Sequence, residues 1–219
     1  MAKLIQIYYR EEQKAACFDF ADLHFNDGLT IFFENEVIRN LVMASTDEKI
    51  GVFSWKLREK MRWNILRPRT LTQEVLETDY DVLCFTGNTK NHKMLAAADN
   101  WHKGFRDTMG KILECIGQNM PSEVRNPIYQ NAFMARREIY HDYVKNWLSP
   151  AMEATMKDSE LYELMTKDSG YTNLAKKDAA SPEYLQEQIG MSYYPMAPFI
   201  LERLFSIYCH NNRIKVTQL

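Results

Sequence analysis

The chain has 219 residues, 46% of them hydrophobic and 26% charged, with a formal net charge of −2, values near those of average globular proteins. That composition argues against disorder, and the length suits one well-buried core, so a single domain over residues 1–219 is expected. The opening Met1-Ala-Lys-Leu-Ile-Gln-Ile7 lacks the apolar core of a signal peptide, and no run nears the roughly 20 apolar residues that span a bilayer. A cytoplasmic protein without a transmembrane segment is expected, and no net positive field exists to hold a nucleic-acid backbone.

In chain order, the β-branched and aromatic Leu4–Tyr9 predicts an opening strand, and Leu29–Phe33 a second. Asn35 can cap a helix running to Ala44, because Val37, Ile38, Leu41 and Val42 share one face at helical spacing. Lys49–Ser54 predicts a third strand. Thr70 with Gln73 fits a capping box for a short helix through Val75 and Leu76, followed by a strand over Asp79–Phe85 that Thr86-Gly-Asn88 closes. Strand, helix and strand in succession predict an α/β fold with a mostly parallel mixed sheet. The second half reads as helix-rich. Ile112, Leu113 and Ile116 mark one helix, Arg136–Leu148 a longer one behind a strand at Ile128–Met134, and Ser159–Lys167 another. Asp168–Pro182 reads as a loop, Pro198 opens a helix carrying Leu201, Leu204 and Phe205, and Ile214–Val216 adds a last strand.

Cys17, Cys84, Cys115 and Cys209 are widely separated and form no Cys-x-x-Cys pair, so they predict neither a zinc site nor a disulfide framework. No glycine-rich nucleotide loop, Gly-x-Ser-x-Gly or His-Glu-x-x-His occurs. Asp79 and Asp81 form an Asp-x-Asp that could hold a divalent cation against a diphosphate; they enter their strand, however, and ligands of open α/β sheets gather at carboxyl ends. A solvated strand entrance is the alternative. Lys56, Arg58 and Lys60 do follow a predicted strand, at the end where such sheets place phosphates, and Trp55 offers a stacking face. An ordinary solvated basic turn is the competing reading. His102, between Trp101 and Gly104, could act as acid, base or donor, and Glu202-Arg203 could either serve a ligand or pair with each other.

Four segments, in order and spacing, resemble a glycosyltransferase-like family of bacterial capsule and lipopolysaccharide clusters: Asp47–Arg58, Asp79–Leu83, Asn131–Val144 and Pro198–Phe205. The resemblance covers roughly residues 35 to 219. In that family a Gly-containing strand ends in His-Tyr-Arg-Arg, an Asn-Met-Phe strand precedes a helix with Tyr and Trp, and Gly-Phe-x-x-Glu-Arg-Leu comes near the end. The resemblance implies a GT-A-like nucleotide-sugar-binding sheet that transfers a sugar from a nucleoside diphosphate sugar to a saccharide acceptor in surface-polysaccharide synthesis, with which peripheral membrane association is compatible.

Carried over, the basic signature falls on Ser54, Trp55, Lys56 and Leu57, with Arg58 next to it. The middle Asn falls on Asn131, and the terminal pair on Glu202 and Arg203. Ser54-Trp55 stands where the family has His-Tyr, and Pro198 where it has Gly. Together these readings make Ser54, Trp55, Lys56, Arg58, Asn131 and Arg203 the expected donor-binding residues, and Asp81, His102 and Glu202 the candidates to orient or deprotonate the acceptor. Cations can replace a metal here, so no metal ligands are assigned; Mn or Mg remains a candidate cofactor. A non-catalytic binding module on the same sheet is the alternative.

Overall fold

The computed structural model describes residues 1–62, 71–85, 92–125, 127–171 and 181–218. The predicted Thr70 cap, the Thr86-Gly-Asn88 stop, residues 172–180 of the predicted loop and the Lys60 side chain lie outside the described residues.

The chain opens with β1 (Ala2–Tyr8), a 3-10 turn (Glu11–Ala16) and β2 (Asp22–Phe25), then α1 (Glu34–Ala44), β3 (Lys49–Ser54), α2 (Leu57–Arg62), α3 (Gln73–Glu77) and β4 (Val82–Cys84). It continues with α4 (Met94–Trp101), α5 (Phe105–Cys115), β5 (Phe133–Arg136) and α6 (Arg137–Tyr143), which a π-helical turn (Val144–Leu148) joins to α7 (Ser149–Lys157). Helices α8 (Ser159–Thr166), α9 (Pro182–Ile189) and α10 (Ala197–Asn211) precede β6 (Val216–Gln218). The strands lie in the order β2-β1-β3-β5-β4-β6. Pairs β1–β2, β1–β3 and β4–β6 are parallel, whereas β5 runs against both β3 and β4. Five strands therefore share one direction, and their carboxyl ends form one edge.

Alternation along the strands divides the interior in two. Ile5, Ile7, Ile50, Val52, Val82, Cys84, Phe133 and Ala135 face the larger core, built with α1 and the helices of the second half. Leu4, Phe53, Leu83 and Met134 face a smaller core closed by α2, α3 and the Leu71 segment. Gly51 faces this smaller side. A Cβ there would run into Met134 Cγ and come within 2.5 Å of the Phe53 ring, so the missing side chain is what lets those two large groups cross the strand. Lys49 is buried at the opposite end of β3, where its ammonium donates to the carbonyls of Glu77 and Thr78 at 3.2 and 2.8 Å and so caps the end of α3.

Several expectations are corrected. The second strand is Asp22–Phe25; Leu29–Phe33 turns into α1, where Phe32 enters the core and Phe33 packs against Tyr194. Asn35 does not cap α1: it lies inside the helix, buried, with its Nδ2 donating to the Phe32 carbonyl at 3.0 Å. Thr72 caps α3, its hydroxyl accepting from the Val75 amide. Only Phe133–Arg136 of the 128–136 segment pairs in the sheet, because Gln130 and Asn131 turn left-handed before it. Among the described residues, no helix is long and apolar enough to cross a membrane.

Candidate functional site

The carboxyl edge is built from the ends of β1 and β3 and from the turn that feeds β5. Beyond β1, the Gln13 carboxamide accepts from the amides of Tyr9 and Arg10 at 2.8 and 3.2 Å, fixing where that segment leaves the sheet. The Tyr9 hydroxyl then donates to Glu34 at 3.3 Å, and burial beside that carboxylate pushes the phenol well above its usual range. Ser54 sits beside Ile7 of β1. Phe133 pairs with Cys84 at the end of β4, so Asn131, two residues before it in the antiparallel approach to β5, stands at the same edge.

Backbone strain gathers at this edge. Phe33 holds φ 52 and ψ −131 at the mouth of α1, and Gln130 and Asn131 hold φ 62 and 50. Three non-glycine residues with positive φ are costly, so their concentration in one place indicates positions fixed by their surroundings. One tie between them is visible: Asn131 Nδ2 donates to Asn35 Oδ1 at 3.4 Å.

The predicted donor residues divide by what they touch. Ser54 is buried, and its hydroxyl accepts from the Lys56 amide at 3.3 Å, so it shapes the turn. Lys56 holds its ammonium 5.0 Å from the centre of the Trp55 ring, a cation beside an aromatic face at the strand end. Arg58 donates to the Cys17 carbonyl at 2.9 Å and packs over Phe18, tying α2 to the segment between β1 and β2, while its Nε is buried without a hydrogen-bond partner among the described residues.

The α10 pair approaches the same edge from the larger core. Arg203 is nearly buried, donates to the Phe199 carbonyl at 3.0 Å, lies over the rings of Phe105 and Tyr129, and sits 3.6 Å from Glu202. Its Nε is buried and has no hydrogen-bond partner among the described residues. Tyr129, two residues before Asn131, thus links the arginine to the β5 turn. Beside them stand the rings of Phe199, Tyr171, Tyr194 and Phe33, in contact one after another.

His102 belongs to this aromatic wall. It stacks on Phe199 at 4.0 Å, its Nδ1 lies 3.1 Å from the Ser169 carbonyl, and it feels the charges of both Glu202 and Arg203. Burial, opposed by the Ser169 hydrogen bond, lowers its pKa below the usual 6.5. Because the unfolded chain binds the proton more tightly, His102 contributes stability that is complete above pH 6.5 and declines as pH falls toward its folded pKa. His102→Asn, which keeps a donor near Ser169, should show a smaller loss of urea midpoint between pH 7.5 and 5.5 than the wild type. An equal loss in both would remove His102 as the source.

Asp81 is not part of the site. It lies at the amino edge, where Arg136 reaches both Asp79 (2.5 Å) and Asp81 (3.3 Å) and donates its backbone amide to the Asp81 carbonyl. Asp81 thus precedes β4, whereas Lys56 follows β3, at opposite ends of strands that run in the same direction. Both carboxylates of the Asp79/Asp81 pair are engaged by Arg136 at that amino edge. Tyr9, Arg10, Phe33 and Tyr129 were missed by sequence reasoning. Tyr9 and Arg10 could have been found, because they follow β1 as Trp55 and Lys56 follow β3.

The fold is an α/β architecture whose six-stranded, mostly parallel sheet resembles that of a glycosyltransferase. Among solved structures, the chain is similar to the apo form of the bifunctional glycosyltransferase WbbM, with a TM-score of 0.52 and 15% sequence identity over all of this chain and 44% of that one. It thus spans less than half the length of that protein's chain. No family model and no curated protein matches the sequence.

Proposed function

We propose that the chain is a glycosyltransferase domain of GT-A type that binds a nucleoside diphosphate sugar at the carboxyl edge of its sheet and transfers the sugar to a saccharide acceptor. The observation that carries this reading is that the Trp55-Lys56 turn after β3, Asn131 before β5 and, through Tyr129, the nearly buried Arg203 all stand toward the carboxyl edge of the sheet. The likeness in fold to a glycosyltransferase supports it. Trp55 stacks on the base or sugar, and Lys56 and Arg203 stabilise charge on the diphosphate as it departs. In the transfer step the acceptor hydroxyl oxygen bonds to the anomeric carbon and the bond from that carbon to the diphosphate oxygen breaks. Glu202 takes the hydroxyl proton, with His102 positioned beside it. The bacterial surface-polysaccharide setting rests on the sequence resemblance.

Thermal shift with a panel of nucleoside diphosphates and their sugars, with and without Mn²⁺ or Mg²⁺, tests the donor site. A ligand at about 100 times its Kd should stabilise the wild type by about 2.7 kcal/mol, and Lys56→Ala and Trp55→Ala should lose most of that shift. An undiminished shift in Lys56→Ala would sink the donor assignment. A non-catalytic binding module is favoured by one observation: Glu202 is engaged with Arg203 and Asp81 stands at the far edge. Binding of a donor without turnover across a panel of saccharide acceptors would decide for that second reading.

A further inference from the structure

A second candidate site lies one helical turn farther along α10. A cleft of about 280 Å³ opens beside the β6 edge of the sheet, with Ile128 and Ile214 among its apolar lining and Arg125, His210, Arg213 and the Ser206 hydroxyl as its main polar groups. Among the described residues no carboxylate lines it, and neither arginine forms an ion pair with a carboxylate. It is separated from Arg203 by a paired contact in which Ser206 Oγ accepts from the Ile128 amide at 2.8 Å and donates to the Ile128 carbonyl at 3.0 Å.

The backbone supplies an independent observation. Arg213 N donates to the His210 carbonyl (3.2 Å) and Ile214 N to the Cys209 carbonyl (2.9 Å), the paired closure of a helix end whose left-handed residue is usually glycine. Here that residue is Arg213, at φ 54. A side chain there carries backbone strain that glycine avoids, and nothing in the closure itself requires an arginine. The helix dipole accounts for a basic His210 in the last turn, but not for Arg125, which comes from another segment.

We infer that this cleft binds a small organic phosphate: the two guanidinium groups and the imidazole hold the anion, and the half-buried Ile214 and Val216 side chains cover an apolar body. Isothermal titration with phenyl phosphate, phenol and inorganic phosphate at fixed ionic strength tests it. Phenyl phosphate should bind, inorganic phosphate should bind more weakly, and phenol should not bind. Arg125→Gln and Arg213→Gly should each raise the Kd for phenyl phosphate by about 10-fold or more, while Lys56→Ala leaves it unchanged. Because Arg213→Gly removes strain, its unliganded thermal midpoint should equal or exceed that of the wild type, so lost binding could not be blamed on lost folding.

The inference fails if the unliganded midpoint of Arg213→Gly falls, which would make the arginine structural. It fails equally if Lys56→Ala abolishes binding and the two arginine variants do not, since the phosphate would then occupy the donor edge. Vesicles of phosphatidylglycerol provide the remaining arm. Arginine-dependent vesicle binding without phenyl phosphate binding would point to a lipid surface instead of a soluble ligand and would overturn the assignment.

Discussion

Phe205→Ala is expected to destabilise the protein by about 3–5 kcal/mol, which at this chain length lowers the thermal midpoint by roughly 6–20 °C. Phe205 is 1% exposed and stands at the centre of the larger core. Its ring lies 3.8 Å from Phe133 with 6° between the planes, meets Tyr143 edge-on at 4.8 Å, and touches Tyr140 and Tyr208. Truncation removes these contacts and leaves a cavity that four stiff aromatic neighbours cannot close. Trp101→Ala provides the contrast: that ring is 74% exposed, and its loss should move stability by no more than about 0.5 kcal/mol. Calorimetry of both variants decides the matter, and a similar small shift for each would show that α10 is not anchored through Phe205. The consequence reaches the site, because Phe133 follows the Asn131 turn in β5 and Arg203 precedes Phe205 on α10. The Phe133–Phe205 stack is what fixes these two elements against each other, so Phe133→Ala and Phe205→Ala should combine non-additively.

What could be read from the sequence was local. Lys49–Ser54 is legible because a short β-branched and aromatic run admits little else, and α10 because Ile200, Leu201, Leu204 and Phe205 recur at helical spacing. Leu29–Phe33 has the same composition as a strand yet turns, since its apolar residues are used to seat the start of α1; a five-residue run does not distinguish the two. The antiparallel placement of β5 between β3 and β4 depends on pairings 49 or more residues apart along the chain, and no local pattern encodes it. For the site, the rule that ligands gather at carboxyl ends directs attention to Trp55 and Lys56, which follow β3, and away from Asp79 and Asp81, which precede β4. It could not show that Arg58 turns to a carbonyl 41 residues away, nor that Phe33 and Asn131 adopt left-handed backbone. Those facts arise from tertiary packing overriding residue preference.

If Arg203 holds the donor diphosphate, Arg203→Met should reduce turnover by about 10²–10³-fold, or about 2.7–4 kcal/mol of transition-state stabilisation. The thermal midpoint should nevertheless stay within roughly 2–4 °C of the wild type, about 1 kcal/mol. The separation of the two effects follows from the surroundings. Methionine is unbranched and keeps apolar packing against Phe105 and Tyr129, and Glu202, whose side chain is 20% exposed, stays within reach of water when its partner is removed. The Arg203 Nε keeps one donor without a hydrogen-bond partner among the described residues. Lysine should not restore turnover, because it offers a point charge where a fixed planar fork is required. Steady-state kinetics with the donor identified by thermal shift, together with the melting curves, gives both readouts. A variant that melts early with turnover per folded molecule intact would mark Arg203 as a structural partner of Glu202, and the diphosphate would then rest on the Trp55-Lys56 turn alone.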